Sequence, residues 1–189
     1  MTRAGAVTET SLIAATDAGM HALWNPSRFT GITSYQAWED ALLEDDDITG
    51  HVRAGELVPV SIGGDGAFQF LVRVGTPSQA PVLTGREKQH LLVSSQAYLY
   101  LSDGSAFLTG IEHVCAVPSP GTPALTIPAG PNAVTIHLIN WAAEPGAADN
   151  HGKPAAGALP DFVVLISPDS ATGNPYRTQL QTFDRGYSR

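Results

Sequence analysis

Carboxylates are unusually dense near the front of the chain. Six of them fall within nine consecutive positions: Glu39, Asp40, Glu44, Asp45, Asp46 and Asp47. Carboxylate oxygens at this density suggest coordination of a divalent metal or attraction of a cationic partner. The spacing does not match an EF-hand loop, which needs ligands at positions 1, 3, 5 and 12 with glycine at 6, so we predict no metal here. The same residues also fit the solvated face of a helix. If they have a function, they predict an acidic surface that binds a basic protein.

Histidines are the second source of possible chemistry, as metal ligands or general bases. The chain has six of them: His21, His51, His90, His113, His137 and His151. No pair has the His-x-His or His-x-x-x-His spacing of a metal site. His137 lies in an alternating apolar segment and is able to line a barrel interior. The alternative to the acidic surface is therefore a cavity that contains His90, Glu112 and His137.

Known catalytic signatures are absent from the sequence. It has no P-loop, no Gly-x-Ser-x-Gly turn, no His-Glu-x-x-His motif and no Gly-x-Gly-x-x-Gly that opens a helix. Cys115 follows His113 by two positions, but its surroundings are apolar and favour a buried, unreactive thiol. We predict no catalytic residues and no cofactor.

One short segment resembles a motif of the cupin family, whose small β-barrels often bind a metal through histidines. Gly121 followed by Pro128-Ala129-Gly130 is similar to the second cupin motif. Three residues after Gly130, where that motif has a histidine, this chain has Ala133, and the His-x-His of the first motif is missing. The resemblance implies a β-barrel architecture without the usual metal ligands.

Composition and charge exclude several classes of protein. The chain has 189 residues, a net charge of −8 and a single cysteine. The negative charge argues against nucleic acid and anionic membranes as partners, and one cysteine excludes an internal disulfide framework. No apolar run approaches the roughly 18 residues of a membrane span, and the first twenty residues do not fit a secretory signal, so we expect a cytoplasmic protein. Eight arginines against two lysines are typical of a GC-rich bacterial genome.

Two helices are predicted in the acidic region. Thr33 or Ser34 is able to cap a helix over Ser34–Glu44, and an apolar face recurs at helical spacing through Tyr35, Trp38, Ala41 and Leu42. This spacing favours core packing of Tyr35 and Trp38, which would become aromatic binding anchors if they were exposed. A second helix is expected from Asp47 to Ala54 with Gly55 as its stop. A further helix within Ser11–Trp24 is possible.

From Glu56 onward the pattern is typical of strands. Alternating apolar residues over 68–74 and 133–141 indicate half-buried strands, and Asp-Gly turns at 65–66 and 103–104 predict two hairpins. We expect His90–Leu101 and Ala106–Val117 to be strands, and 144–160 to be a long irregular loop. The predicted fold class is α+β, mainly antiparallel, as a sandwich or open barrel of about seven to nine strands with one or two N-terminal helices.

These elements suggest an organisation and a function. Residues 1–55 are predicted to be an acidic helical segment that packs on an antiparallel β-domain of residues 56–189, within a single structural domain. The absence of catalytic motifs and the acidic front favour a non-enzymatic cytoplasmic binding protein, for example an immunity or antitoxin-like protein. The alternative is a small-molecule-binding or hydrolytic β-barrel. The oligomeric state is not indicated by any pattern.

Overall fold

The chain folds as a β-sandwich with three short helices on its surface, in the α+β class that the sequence predicts. The structure is a computed structural model that describes residues 6–169 and 175–184. Its helices are α1 (Tyr35–Leu42), α2 (Asp45–Arg53) and α3 (Gly85–Gln89). Its strands are β1 (Thr8–Thr16), β2 (Met20–Trp24), β3 (Leu57–Ser61), β4 (Gly66–Val74), β5 (Leu91–Ser94), β6 (Tyr98–Ser102), β7 (Ser105–Gly110), β8 (Ala124–Thr126), β9 (Gly130–Ile139) and β10 (Phe162–Pro168). None of the helices in the described part of the chain is long and apolar enough to cross a membrane.

Two sheets make up the sandwich. The larger one has the order β1-β4-β10-β9-β5, and β6 also pairs with β9, beyond the segment that β5 occupies. The smaller one has the order β3-β2-β7-β8. All pairs are antiparallel except β4 with β10, which are parallel. The ten strands slightly exceed the predicted seven to nine.

The two Asp-Gly turns connect strands of different sheets, so the predicted hairpins are wrong. The turn at 65–66 leads from β3 in the smaller sheet to β4 in the larger one, and the turn at 103–104 leads from β6 back to β7. Gly104 has a φ of 121°, which residues with a Cβ rarely adopt. Asp-Gly chemistry thus reverses the chain at these points, but it does not determine whether the flanking strands share hydrogen bonds or face each other across a core.

The further helix considered within Ser11–Trp24 does not form, because β1 and β2 occupy this segment. β1 is an edge strand whose first four residues are all exposed, so it shows little alternation, and β2 is buried along its whole length. Both strands lie inside the segment 1–55 that the sequence predicts as helical. The division of the chain at residue 55 stays a prediction, and residues 1–5, 170–174 and 185–189 lie outside the described part.

Helices α1 and α2 confirm the two helices predicted in the acidic region. The Ser34 side chain caps α1 by accepting a hydrogen bond from the backbone N–H of Ala37. Helix α2 begins at Asp45, two residues before the predicted start, and three acids occupy its first turn, where the helix dipole favours negative charge. Gly55 ends α2 with a φ of 71°, and a Cβ there would lie 2.9 Å from the Leu101 side chain. The chain thus passes directly from the helices into β3.

The core fills the space between the sheets with large side chains. Trp24, Phe70, Tyr98, Tyr100 and Phe162 are all fully buried, and the Phe70 and Phe162 rings stack with centroids 5.0 Å apart. A second apolar cluster lies on the outer face of the larger sheet: Leu83, Ile139, Trp141, Ala147, Leu159 and Val163. The irregular segments around α3 and over 144–160 therefore cover a face of the sheet. Burial on both faces explains why β10 reads as a continuous apolar run.

A buried ion pair fixes α3 to this outer face. The Arg73 guanidinium donates two hydrogen bonds of 2.7 Å to Glu87 and one of 2.6 Å to Glu9. Arg73 and Glu87 are only 8% and 2% exposed. Burial disfavours the charged form of Glu87, but the hydrogen bonds from Arg73 and Thr84 outweigh this effect and lower the pKa of Glu87. The short helix α3, which the sequence does not predict, thus depends on a long-range charge pair.

We predict that Glu87→Gln destabilises the protein by roughly 3 kcal/mol, because it leaves the buried Arg73 charge with only part of its compensation. The free energy of unfolding, measured by urea denaturation, checks this value. Glu144→Gln is the matched control, because it removes a carboxylate that pairs with the exposed Arg86 at 2.6 Å. Equal losses in the two variants would show that the buried pair does not anchor α3.

Candidate functional site

An open groove separates the start of α1 from the chain that follows β7. Its volume is about 420 Å³. Trp38, Val114 and Cys115 are among the side chains that line it. At its rim, Tyr35 is 72% exposed and Val117 is 80% exposed. Exposed apolar groups concentrated around a concavity are typical of a binding surface.

Two hydrogen bonds hold the walls of the groove together. The indole N–H of Trp38 donates to the carbonyl oxygen of Ile111 at 2.9 Å. The backbone N–H of Ala116 donates to the carbonyl oxygen of Ile32 at 2.8 Å. The Tyr35 and Trp38 rings stack with centroids 6.1 Å apart. The groove is therefore formed by contacts between elements that are distant in sequence.

The sequence misses this groove because its second wall is predicted as part of a strand. The strand expected over 106–117 ends as β7 at Gly110, and residues Ile111–His113 form a 3-10 helix. The prediction that Tyr35 packs in the core is wrong, whereas Trp38 is partly buried and Leu42 is fully buried. The interior glycine at position 110 was the available signal that the strand stops there.

The six carboxylates predicted as an acidic surface lie on α1, on α2 and on the short connection between them. Glu39 is partly exposed and the other five are exposed: Asp40, Glu44, Asp45, Asp46 and Asp47. Across residues 6–169 and 175–184, none of the six forms a salt bridge with a basic side chain. The same helical pair exposes Leu43, at 54%. The surface thus carries uncompensated negative charge beside an apolar group.

Helix α1 links the acidic surface to the groove. Tyr35 at its first residue lines the groove, and Glu39 follows one turn later on the same side of the helix. A hydrogen bond with Glu39 raises the pKa of Tyr35. Negative charge therefore extends to the rim of the apolar groove.

The acidic segment does not gather ligands for a metal ion. His51, four residues after Asp47, hydrogen-bonds Glu56 at 2.8 Å through Nδ1. In the part of the chain that the structure describes, no three His, Cys, Asp or Glu side chains are placed to hold a metal.

The three residues of the alternative cavity lie in three different elements. His137 is buried on β9 of the larger sheet, and His90 ends α3 beside it, where its carbonyl oxygen accepts a hydrogen bond from Asn140. Glu112 instead follows β7 of the smaller sheet and lines the groove. Its carboxylate accepts two hydrogen bonds of 2.9 Å from Thr16 and the Asp17 backbone.

Hydrogen bonds occupy both ring nitrogens of His137. Ser94 Oγ lies 2.8 Å from Nδ1 and Thr135 Oγ1 lies 2.9 Å from Nε2. Burial lowers the pKa of His137. A neutral histidine with both ring nitrogens hydrogen-bonded to the protein has no free nitrogen for proton transfer to a ligand. His137 therefore contributes to the packing of the sheet.

A buried histidine that the sequence does not single out is His21 in β2. It is 0% exposed, and its Nε2 donates to the carbonyl oxygen of Ala14 at 3.1 Å. Its Nδ1 has no hydrogen-bond partner among the described residues. Its ring contacts those of Phe68 and Phe70, and burial lowers its pKa. The core thus holds a histidine that is most stable in the neutral form.

We predict that acid destabilises the protein through these two histidines. Because burial holds their folded-state pKa values below the ordinary histidine pKa of 6.5, the unfolded chain binds more protons, and stability present above pH 6.5 is lost as the pH falls. The loss is at most about 1.4 kcal/mol per histidine for each pH unit below 6.5. Urea denaturation between pH 7.5 and 5 measures it.

The variant His137→Gln should reduce this pH dependence, since it removes one of the two groups that take up a proton on unfolding. His151→Gln, at an exposed position, is the control and should leave the dependence unchanged. If His137→Gln gave the same pH dependence as the unaltered protein, His137 would not be a neutral buried group.

Comparisons with known proteins show a fold but no family. No family model matches the sequence, and no curated protein matches it significantly. A solved structure titled "Crocagin biosynthetic gene J" is similar, with a TM-score of 0.56 and 18% sequence identity. The match covers 86% of this chain and 97% of that chain. At this identity, the similarity establishes a shared fold and nothing about activity.

Proposed function

We propose that this chain is a non-enzymatic binding protein whose acidic surface on α1 and α2 binds a basic protein partner. The observation that carries the proposal is the absence of salt bridges to any of the six clustered carboxylates within the described residues. A cytoplasmic bacterial protein of the immunity or antitoxin type, which neutralises a cationic toxin, is the concrete form of this proposal.

The distribution of charge supports a partner at this surface. Glu9, Glu87 and Glu144 pair with arginines, whereas the acids of the helical pair have no basic partner among residues 6–169 and 175–184. Clustered exposed carboxylates repel each other. A cationic partner relieves this repulsion at little desolvation cost. Such complementarity accelerates association and fixes the orientation of the complex.

The alternative, a small-molecule-binding or hydrolytic barrel, receives less support from the geometry. Large aromatic side chains fill the space between the sheets, and the ring nitrogens of His137 are both hydrogen-bonded. A ligand cavity between the sheets would need these aromatic side chains to be displaced. His137 does not line that space, because it pairs with Val163 and shares the outer face of the larger sheet with Ile139.

Neutralising part of the acidic surface should weaken partner binding. We predict that Asp45→Asn/Asp46→Asn captures at least tenfold less of a basic protein from source-cell lysate than the unaltered chain. Capture by the unaltered chain should also fall steeply between 50 and 300 mM salt, since salt screens exposed charges. Quantitative mass spectrometry of immobilised-protein pull-downs measures both effects.

Asp17→Asn/Asp65→Asn is the matched control, because it makes the same change in net charge at two exposed acids outside the helical pair. The control should capture the basic protein normally. Equal loss in both double variants would mean that overall charge, and not this surface, attracts the partner. Normal capture by Asp45→Asn/Asp46→Asn would contradict the proposed function.

A further inference from the structure

We infer that the groove between α1 and residues 111–117 binds an aromatic side chain of a basic polypeptide segment, in which arginine or lysine flanks that side chain. This inference rests on the proposed function and specifies the chemistry of the partner. The occupant is a peptide segment that combines an apolar anchor with cationic neighbours.

The apolar part of the inference follows from the burial of the lining residues. The floor is well packed, with Ile32 6% and Val114 1% exposed. The rim is not covered, because Tyr35 and Val117 stay mostly exposed. The indole of Trp38 lines the same groove. An aromatic ring inserted here would cover these exposed apolar surfaces without disturbing the core.

The cationic part follows from the charges around the groove. Among the residues that the structure describes, no lysine or arginine lines the groove, while Glu112 does. Glu39 lies at the Tyr35 side and leads to the rest of the acidic surface on α1 and α2. An apolar side chain entering the groove would thus place its sequence neighbours near carboxylates, where basic residues are favoured.

The same charges argue against two other occupants. A second copy of this chain carries a net charge of −8 and would bring its acidic surface toward another negative region. An anionic membrane would be repelled in the same way. A basic polypeptide segment satisfies both the apolar and the electrostatic features of the site.

The chain offers two independent readouts of groove occupancy. Cys115, the only cysteine of the sequence, lines the groove and is partly exposed, so the buried thiol that the sequence predicts is wrong. Alkylation of the protein by iodoacetamide therefore reports access to this position. Trp38 also lines the groove, whereas the indole N–H of Trp24 is bound to Thr109 within the core. In an NMR titration, the indole signal of Trp38 should move and that of Trp24 should not.

The experiment titrates the protein, residues 1–189, with three synthetic pentapeptides. The first has one phenylalanine between two pairs of arginines, the second replaces the phenylalanine by alanine, and the third replaces the arginines by glutamates. We expect the arginine–phenylalanine peptide to slow alkylation of Cys115 at least fivefold at saturation and to shift the Trp38 signal. The alanine peptide should bind about tenfold more weakly, and the glutamate peptide should not bind.

Two substitutions separate the groove from the acidic surface. Val117→Ser should reduce the preference for phenylalanine over alanine, and Val82→Ser is its matched control because Val82 is 66% exposed and does not line the groove. Asp45→Asn/Asp46→Asn should weaken both cationic peptides by a similar factor and keep their ratio. Both valines lie outside the core, so these variants are expected to fold normally.

The outcomes test separately the aromatic anchor, the cationic requirement and the groove itself. Equal binding of the phenylalanine and alanine peptides, with unchanged alkylation of Cys115, would overturn the inference and leave the proposed function intact. Binding of the glutamate peptide as strongly as the arginine peptide would overturn the cationic requirement. If neither cationic peptide bound at millimolar concentration, the inference would be overturned; the lysate experiment, which uses no peptide, would then decide the proposed function separately.

Discussion

The candidate site depends on the hydrogen bond from the Trp38 indole to the carbonyl oxygen of Ile111. This bond, with the backbone bond between Ala116 and Ile32, joins the helical pair to the sandwich. The burial of Leu42, Ile48 and Val52 also holds the helical pair on the core. The indole bond adds a fixed contact between α1 and the chain after β7, and this contact sets the spacing of the two walls of the groove. A single well-placed indole thus links the fold to the proposed binding surface.

The charged side chains of this protein occur in two environments, one buried and one exposed, with different consequences. Arg73 and Glu87 are buried together, and their mutual hydrogen bonds compensate for the loss of water. The carboxylates of α1 and α2 remain hydrated and have no basic partners within the described residues. The first arrangement holds α3 on the sheet. The second favours the start of α2 through the helix dipole, and it leaves negative charge available for a partner.

Local patterns account for the part of the fold that the sequence predicted correctly. Ser34 and Gly55 mark the ends of the helical region because caps act through nearby backbone groups. Sheet pairing is a long-range property, so the Asp-Gly turns predicted chain reversals correctly but assigned the wrong partners. The groove was missed for a similar reason. Its walls come from α1 and residues 111–117, and the exposure of Tyr35 depends on what the second wall leaves uncovered.

Carboxyl footprinting measures which acids a partner covers, and so it tests directly whether α1 and α2 form the binding surface. The protein would be labelled with a carbodiimide and glycine ethyl ester, alone and in source-cell lysate, and the modified sites quantified by mass spectrometry. We expect Asp45, Asp46 and Asp47 to lose reactivity in lysate while Asp17 and Asp65 keep theirs. Unchanged reactivity of the three acids, or protection at Asp17 and Asp65 instead, would contradict the claim that α1 and α2 form the binding surface.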